Sequence, residues 1–463
     1  MNQTRRRIVI WCAAILLPVA ANAGDIDWDK TGDEAARLLS AYIRVNTTNP
    51  PGNETLAAKF LAQRFTQAGI ESRVLESAKG RGVVVARLKG RGEARPVVLL
   101  NHLDVVPADP GGWDVPPFSG TIRDGYVWGR GAVDCKGVGA VDATAMIALK
   151  RSGVKLKRDL IFVATADEEA GGLAGAGWFA DHHLDLVQNA EFLLNEGGAI
   201  RVRPDGSRTY EVAVSEKTPC WLKLTASGDA GHGSAPAAET AVTRLVGALD
   251  RLHHYQPDVR VLPEVATYYA AIADTAPADR RERLRDLKAA LADPGFRETF
   301  LADRHDAALV RNTIAPTVLS ASNKTNVIPR TASAEVDCRL LPDENPDTFI
   351  QNVKQVINDD AITVEKLLSF APSSSPTTTA LYRAITAVAT SEQAPVVPAV
   401  LTGFTDSHYF RTHDIVSYGF VPFDMADDDE KGVHGINERV SLDNLRNGTR
   451  RLIAVLQALD QEP

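Results

Sequence analysis

Between residues 33 and 199 of the 463-residue chain, short apolar runs alternate with stretches whose apolar positions recur at helical spacing. The runs lie at 82–88, 96–101, 159–165 and 191–194, and the helical stretches near 33–45, 54–68 and 137–151. Strand-length runs separated by amphipathic helices predict an α/β fold with a largely parallel central sheet, in which sites gather at the carboxyl ends of the strands.

The texture changes near residue 213. Residues 220–226 read as a strand and 239–253 as a helix. Residues 332–340 alternate small or apolar side chains with Ser333, Glu335, Asp337 and Arg339. A helix near 346–358 and a strand near 362–369 complete a small α+β unit of the split-βαβ, ferredoxin-like kind. The stretch 257–312 inside it is charged and helix-prone, and the pattern gives it no place. After residue 370 the α/β texture returns, with a helix near 378–390. The expected organisation is a catalytic domain in two pieces, 24–212 and 367–463, interrupted by an inserted lid or dimerisation domain at 213–366.

The amino terminus follows another logic. Arg5-Arg6-Arg7 precede an apolar stretch over 8–20, and Ala21-Asn22-Ala23 has the form of a cleavage site. Residues 1–23 therefore read as a signal peptide, and the protein as exported, periplasmic or secreted. The apolar run is short of the ~20 residues that span a bilayer, so no stable membrane association is expected after cleavage. Loss of the leader removes three arginines and no acids, shifting the formal charge from −8 to −11 and disfavouring nucleic acid as a partner. Hydrophobic and charged contents of 44% and 24% are those of a globular protein. Cys135, Cys220 and Cys338 remain after the leader, too few for a disulfide framework. Cys220 and Cys338 read as small buried hydrophobes, whereas Cys135 could touch the site described next.

That site is built from His102-x-Asp104, Asp134, Glu168-Glu169, Glu196 and His434. Two divalent ions close together need a bridging carboxylate, terminal imidazoles and carboxylates, and one further carboxylate to move protons. His102 and His434 would each take one ion, Asp134 would bridge, and Glu169 and Glu196 would complete the shells. If the strand that ends in His102 continues, Asp104 lies on the same face and can orient the imidazole. Glu168 is then free to act as general base, provided a turn re-aims one member of the adjacent pair. The histidine pairs 182–183 and 253–254 sit at helix ends and read as solvated. Asp406, in Thr405-Asp406-Ser407, is a candidate support for the site.

These residues occur in motifs whose shared order resembles the co-catalytic zinc hydrolase family of glutamate carboxypeptidase, aminoacylase, acetylornithine deacetylase, succinyl-diaminopimelate desuccinylase and carboxypeptidase S. The motifs are Asn101-His102-Leu103-Asp104, Gly131-Ala132-Val133-Asp134-Cys135-Lys136-Gly137, Asp167-Glu168-Glu169, Asn195-Glu196-Gly197-Gly198, Gly231-His232-Gly233-Ser234, Asn326-Val327-Ile328-Pro329 and Val433-His434-Gly435. The resemblance spans the mature chain and implies a zinc-peptidase-like catalytic domain holding two Zn2+, replaceable by Co2+ or Mn2+. It implies that His232 stabilises the oxyanion, often in a partner subunit's site, so that the protein is a homodimer. It implies that Arg339 binds a substrate carboxylate and Asn326 makes a nearby polar contact. The implied reaction is hydrolysis of a small peptide or N-acyl amino acid with a free carboxylate, by a metal-bound water with Glu168 as base. Glu196, rather than Asp, favours the carboxypeptidase and acylase members. Cys135 departs from the acidic or apolar residue many relatives carry there. A di-zinc dipeptidase or aminopeptidase, or a relative that binds without catalysis, stays open as an alternative.

Overall fold

A computed structural model of the protein describes residues 26–462, so the leader read over residues 1–23 lies outside the described residues. The strongest apolar runs form the centre of a ten-stranded sheet. Leu160–Thr165, Val97–His102, Phe192–Asn195 and Val416–Gly419 lie side by side and parallel. Arg81–Leu88 joins one flank antiparallel, and Arg208–Glu216 joins the other. The sheet is therefore mixed, and the expected parallel arrangement is its middle.

Because side chains alternate across a strand, each central strand feeds two cores. Val97 and Leu99 enter one apolar cluster and Val98 and Leu100 the other; Phe162 and Val163 divide in the same way. The first cluster is covered by the helices Trp28–Ile43, Lys136–Ser152 and Leu442–Gln461, the second by Trp178–His183 and Ser407–Arg411. Asp27 and Ser441 cap two of these helices by accepting from backbone N–H groups three residues on. Gly153, at φ 74°, ends the third in the left-handed conformation that favours glycine.

A second, four-stranded antiparallel sheet has the order Thr313–Ser320, Thr331–Leu340, Thr218–Ser227, Ile362–Ser369. Helices Ala241–His254 and Pro346–Ile357 pack on it, burying Leu222, Leu224, Leu245, Val336, Phe349 and Val353 in a core of their own. Strand, helix, two strands, helix and strand in that spatial order is the split-βαβ topology. In Thr331–Leu340 the even-numbered residues face the helices, leaving Ser333, Glu335, Asp337 and Arg339 on the opposite face.

The stretch 257–312 folds into short helices, among them Pro263–Ile272, Pro294–Ala302 and Arg304–Val310. Their apolar residues make a further cluster that takes in Leu341 and Val400. Val400 belongs to Val396–Leu401, a strand of the large sheet, so this segment is seated on the large sheet as well as beside the small one.

The fold predicts a large cost for opening the central core. Phe162 is fully buried, its ring 4.9 Å from that of Phe65. Phe162→Ala should lose about 3–5 kcal/mol, read from the denaturation midpoint in urea; a loss below about 1 kcal/mol would show that the cluster collapses around the gap.

Candidate active site

The carboxyl ends of the central strands bring His102, Glu168, Glu169 and Glu196 together, and two loops add Asp134 and His434. His102 closes the strand Val97–His102, and Glu196 follows Phe192–Asn195 directly. Asp134 stands one residue ahead of Cys135, the residue that precedes helix Lys136–Ser152. The Asp134 carboxylate is shared between the imidazoles: its Oδ1 is 2.9 Å from His102 Nε2, and its Oδ2 is 3.0 Å from His434 Nε2. Glu196 Oε2 is 3.4 Å from His102 Nε2, and Glu169 Oε2 is 3.2 Å from His434 Nε2. Each imidazole thus has one carboxylate to itself, and both share the aspartate.

Asp104 holds the first half of this arrangement, but not by the expected route. The strand ends at His102: Leu103 N–H still donates to the Thr165 carbonyl of the neighbouring strand, but Val105 N–H turns to that of Thr47. The turn brings the Asp104 carbonyl to 3.0 Å from His102 Nδ1 and its Oδ1 to 3.5 Å. The same carboxylate accepts from the backbone N–H of Glu168 at 3.1 Å and of Glu169 at 3.2 Å. One buried aspartate therefore orients the imidazole and anchors both glutamates. The extended geometry expected for the pair is replaced by one turn of 3₁₀ helix, Glu168–Ala170, following Asp167 at φ 70°. A methyl group at Gly172, just beyond, would come within 2.4 Å of Asp406 Oδ1. Asp406 is itself buried and accepts from Thr165 Oγ1 at 2.6 Å.

Glu438 holds the other half, and nothing in its sequence context marks it. Fully buried, it accepts from the backbone N–H groups of Gly131, Val133 and Asp134 and from Arg130 Nη1. Arg130 also donates to the Gly435 carbonyl at 2.7 Å. The Asp134 loop and the His434 segment are thereby clamped to each other. Asn49 and Arg81 support the site with equally little warning from their surroundings in the chain. Asn49 donates to Asp104 Oδ2 at 2.8 Å, and Arg81 pairs with Asp167 and with buried Glu54. Isolated polar residues of this kind carry no periodic signal, and spacing alone does not find them.

The electrostatics of the cluster suit cations. Burial, reinforced by Glu196, pushes the Glu168 carboxyl well above the ordinary range. Burial also lifts Glu196 to about 7, against the pull of His102. Hydrogen bonds to Asp134 and Glu169 raise His434 to about 10. Glu169 Oε1 is buried with no hydrogen-bond partner. Nearby carboxylates that oppose one another's ionisation, with an unpaired oxygen among them, call for positive charge. The donor set of two imidazoles, two terminal carboxylates and one shared aspartate fits two divalent ions. His102, Asp134 and Glu169 place one ligand atom each within 4.8 Å of one another, and so do His102, Cys135 and Glu196. Cys135, fully buried, thus lies against the site.

His232, Asn326 and Arg339 lie apart from this cluster. Gly231–His232 pairs with Val327–Ile328, Gly233 N–H donates to the Asn326 carbonyl, and His232 Nδ1 is 2.7 Å from Ser234 Oγ on an exposed face. Arg339 is held by both carboxylate oxygens of Asp337 and lies 5.0 Å above the Phe404 ring, two residues from Asp406. No hydrogen bond or ion pair among the described residues joins any of the three to the imidazoles. Histidines outside the cluster have local partners or face solvent: His182 stacks on Trp178, His253 and His254 are exposed at a helix end, and buried His408 stacks on Phe370.

Residues 98–458 match the family described as peptidase family M20/M25/M40. The probable carboxypeptidase S-like 2 of Dictyostelium discoideum is 31% identical over 379 residues, 78% of this chain and 72% of that protein. The N-fatty-acyl-amino acid synthase/hydrolase PM20D1 of Mus musculus is 31% identical over 376 residues, 79% of this chain and 74% of its own. Among solved structures, an M20 family metallo-carboxypeptidase from Sulfolobus solfataricus superposes with a TM-score of 0.72 at 19% identity, covering 92% of this chain and 99% of that one.

The clamp at Glu438 predicts a measurable effect on metal binding. Glu438→Gln turns one acceptor oxygen into a donor facing backbone N–H groups, and divalent-ion affinity, read by chelator competition, should fall about 10–100-fold. Unchanged affinity would mean that the Asp134 loop holds its shape unaided.

Proposed function

This chain belongs to peptidase family M20/M25/M40 and is a metal-dependent hydrolase, and we propose that it cleaves the amide bond of an N-acyl amino acid or small peptide with a free carboxylate, using two zinc ions. The observation that carries the metal count is the Asp134 carboxylate with one oxygen at each of two imidazoles. His102 and Glu196 would hold one ion, His434 and Glu169 the other, and Asp134 both. Bound there, the ions supply Lewis-acid polarisation of the scissile carbonyl and of a water.

The chain's own residues do the rest. Glu168 is the general base: no hydrogen bond among the described residues occupies its carboxylate, and Asp104 fixes its backbone. It takes the water's proton as the carbonyl carbon is attacked, and returns that proton to the departing amine nitrogen. His232 donates to the carbonyl oxygen as charge builds there. Arg339 takes the substrate carboxylate in a two-pronged grip, exchanging Asp337 for it, with Asn326 alongside. The exposed position of His232 supports delivery from a second copy, hence a homodimer. The leader at residues 1–23 supports export to the periplasm or medium. The relative that hydrolyses N-fatty-acyl amino acids and the carboxypeptidase-like relative support the substrate class.

Two substitutions test the roles. Glu168→Gln should lower kcat by about 10²–10⁴-fold with metal content unchanged; a loss of metal would make Glu168 a ligand. Arg339→Glu should raise KM at least about tenfold for an N-acyl amino acid while the ions stay bound, and an unchanged KM would remove it from the site. A panel of N-acyl amino acids, free dipeptides and amino-terminally blocked peptides separates this reading from a dipeptidase, which would spare the acylated substrates, and from a binding relative, which would spare all.

A further inference from the structure

A cavity of about 330 Å³ lies beside the cluster and takes no part in the chemistry above. Three of its lining residues abut the ligand positions: Val133 precedes Asp134, Gly198 is two residues after Glu196, and Val433 precedes His434. Its far wall comes from the helical stretch that the sequence pattern left unplaced, through Val265 and Tyr268 of Pro263–Ile272 and Leu309 of Arg304–Val310. The strand Val396–Leu401 contributes Ala399, Val400 and Leu401 between these walls. Its volume falls at the lower end of the range for small-molecule pockets, and its lining is mainly aliphatic.

The charges around it say which end of a substrate it takes. Arg201 is its one arginine, and it is committed to Glu211 at 3.0 Å and to Glu430. Tyr268 donates to the other Glu211 oxygen at 3.2 Å. Two glutamates face one committed arginine, with His305 the only other basic side chain of the lining, so the field opposes a carboxylate. A protonated amine is poorly served too, because these carboxylates already accept from Arg201 and Tyr268.

We propose that this cavity is the subsite for the apolar acyl chain of an N-acyl amino acid, and that the helical stretch 257–312 is the element that sets acyl-chain length. The proposal rests on the hydrolase reading in one respect, that the acyl carbonyl is the group presented to the cluster. The chain then runs from the carbonyl past Val133 and Val433 towards Leu309, and the carboxylate end lies outside the cavity. Each methylene removed from water should strengthen binding by about fourfold until the cavity is full.

The test uses the metal-loaded full chain with N-acetyl, N-butanoyl, N-hexanoyl and N-octanoyl forms of one amino acid, and calorimetric titration with acetate through octanoate. Both kcat/KM and carboxylate affinity should climb steeply with chain length. Leu309→Trp, which fills the cavity, should cut the octanoyl-to-acetyl ratio of kcat/KM at least about tenfold and weaken octanoate similarly, the equivalent of about two methylenes. Val265→Ala, which enlarges it, should shift the preferred length upward and serves where the tryptophan variant does not fold. Hydrolysis of the acetyl substrate with flat length dependence in both assays would overturn the proposal, as would faster cleavage of a free dipeptide than of its acylated counterpart. Length-dependent octanoate binding that responds to Leu309→Trp, without hydrolysis of any acylated substrate, would uphold the cavity while rejecting the hydrolase reading.

Discussion

The carboxylate of Asp134 has to face two imidazoles at once, one from each end of the chain, and much of the surrounding structure serves that requirement. His102 lies at the tip of a central strand and His434 in a loop more than three hundred residues later. With Oδ1 at 2.9 Å from one and Oδ2 at 3.0 Å from the other, small errors in the loop would lose one partner. Two buried carboxylates prevent such errors. Asp104 ties the His102 ring to the turn that carries Glu168 and Glu169, and Glu438 ties the Asp134 backbone to the His434 segment through Arg130.

Burying so many acids is costly unless their oxygens are satisfied. Asp104 and Glu438 meet the cost with backbone N–H groups, Asn49 and Arg130, whereas Glu169 Oε1 has no hydrogen-bond partner and burial pushes Glu168 and Glu196 above the ordinary carboxyl range. Glu168, Glu169 and Glu196 lie where cations and a reacting water would be held, and Asp104 and Glu438 flank them. This division, more than any single motif, separates the groups that act from the groups that position.

Much of this is legible in the sequence because burial leaves a periodic trace. The central strands are apolar on both faces and end where polar residues begin, so the apolar pattern by itself puts His102, Glu168 and Glu196 at strand ends. The alternation in 332–340 similarly puts Arg339 on the face away from the helices. Where periodicity stops, legibility stops with it. The turn after His102 follows from the hydrogen bond of Val105 to Thr47, which no local pattern encodes. Glu438, Asn49 and Arg81 are single polar residues whose partners are distant in sequence. The stretch 257–312 is illegible because its helices are short and one, Ala278–Arg285, is charged almost throughout; it is tethered instead by a few residues buried with Leu341 and Val400.

The sharing of Asp134 is open to a direct count of metal per chain, by plasma mass spectrometry on protein equilibrated with buffered zinc, for the native chain and for Asp134→Ala. The account predicts two ions in the native protein and fewer than one in the variant at the same free zinc, with the variant's fold intact by circular dichroism. A single ion in the native chain, or two retained without Asp134, would contradict it.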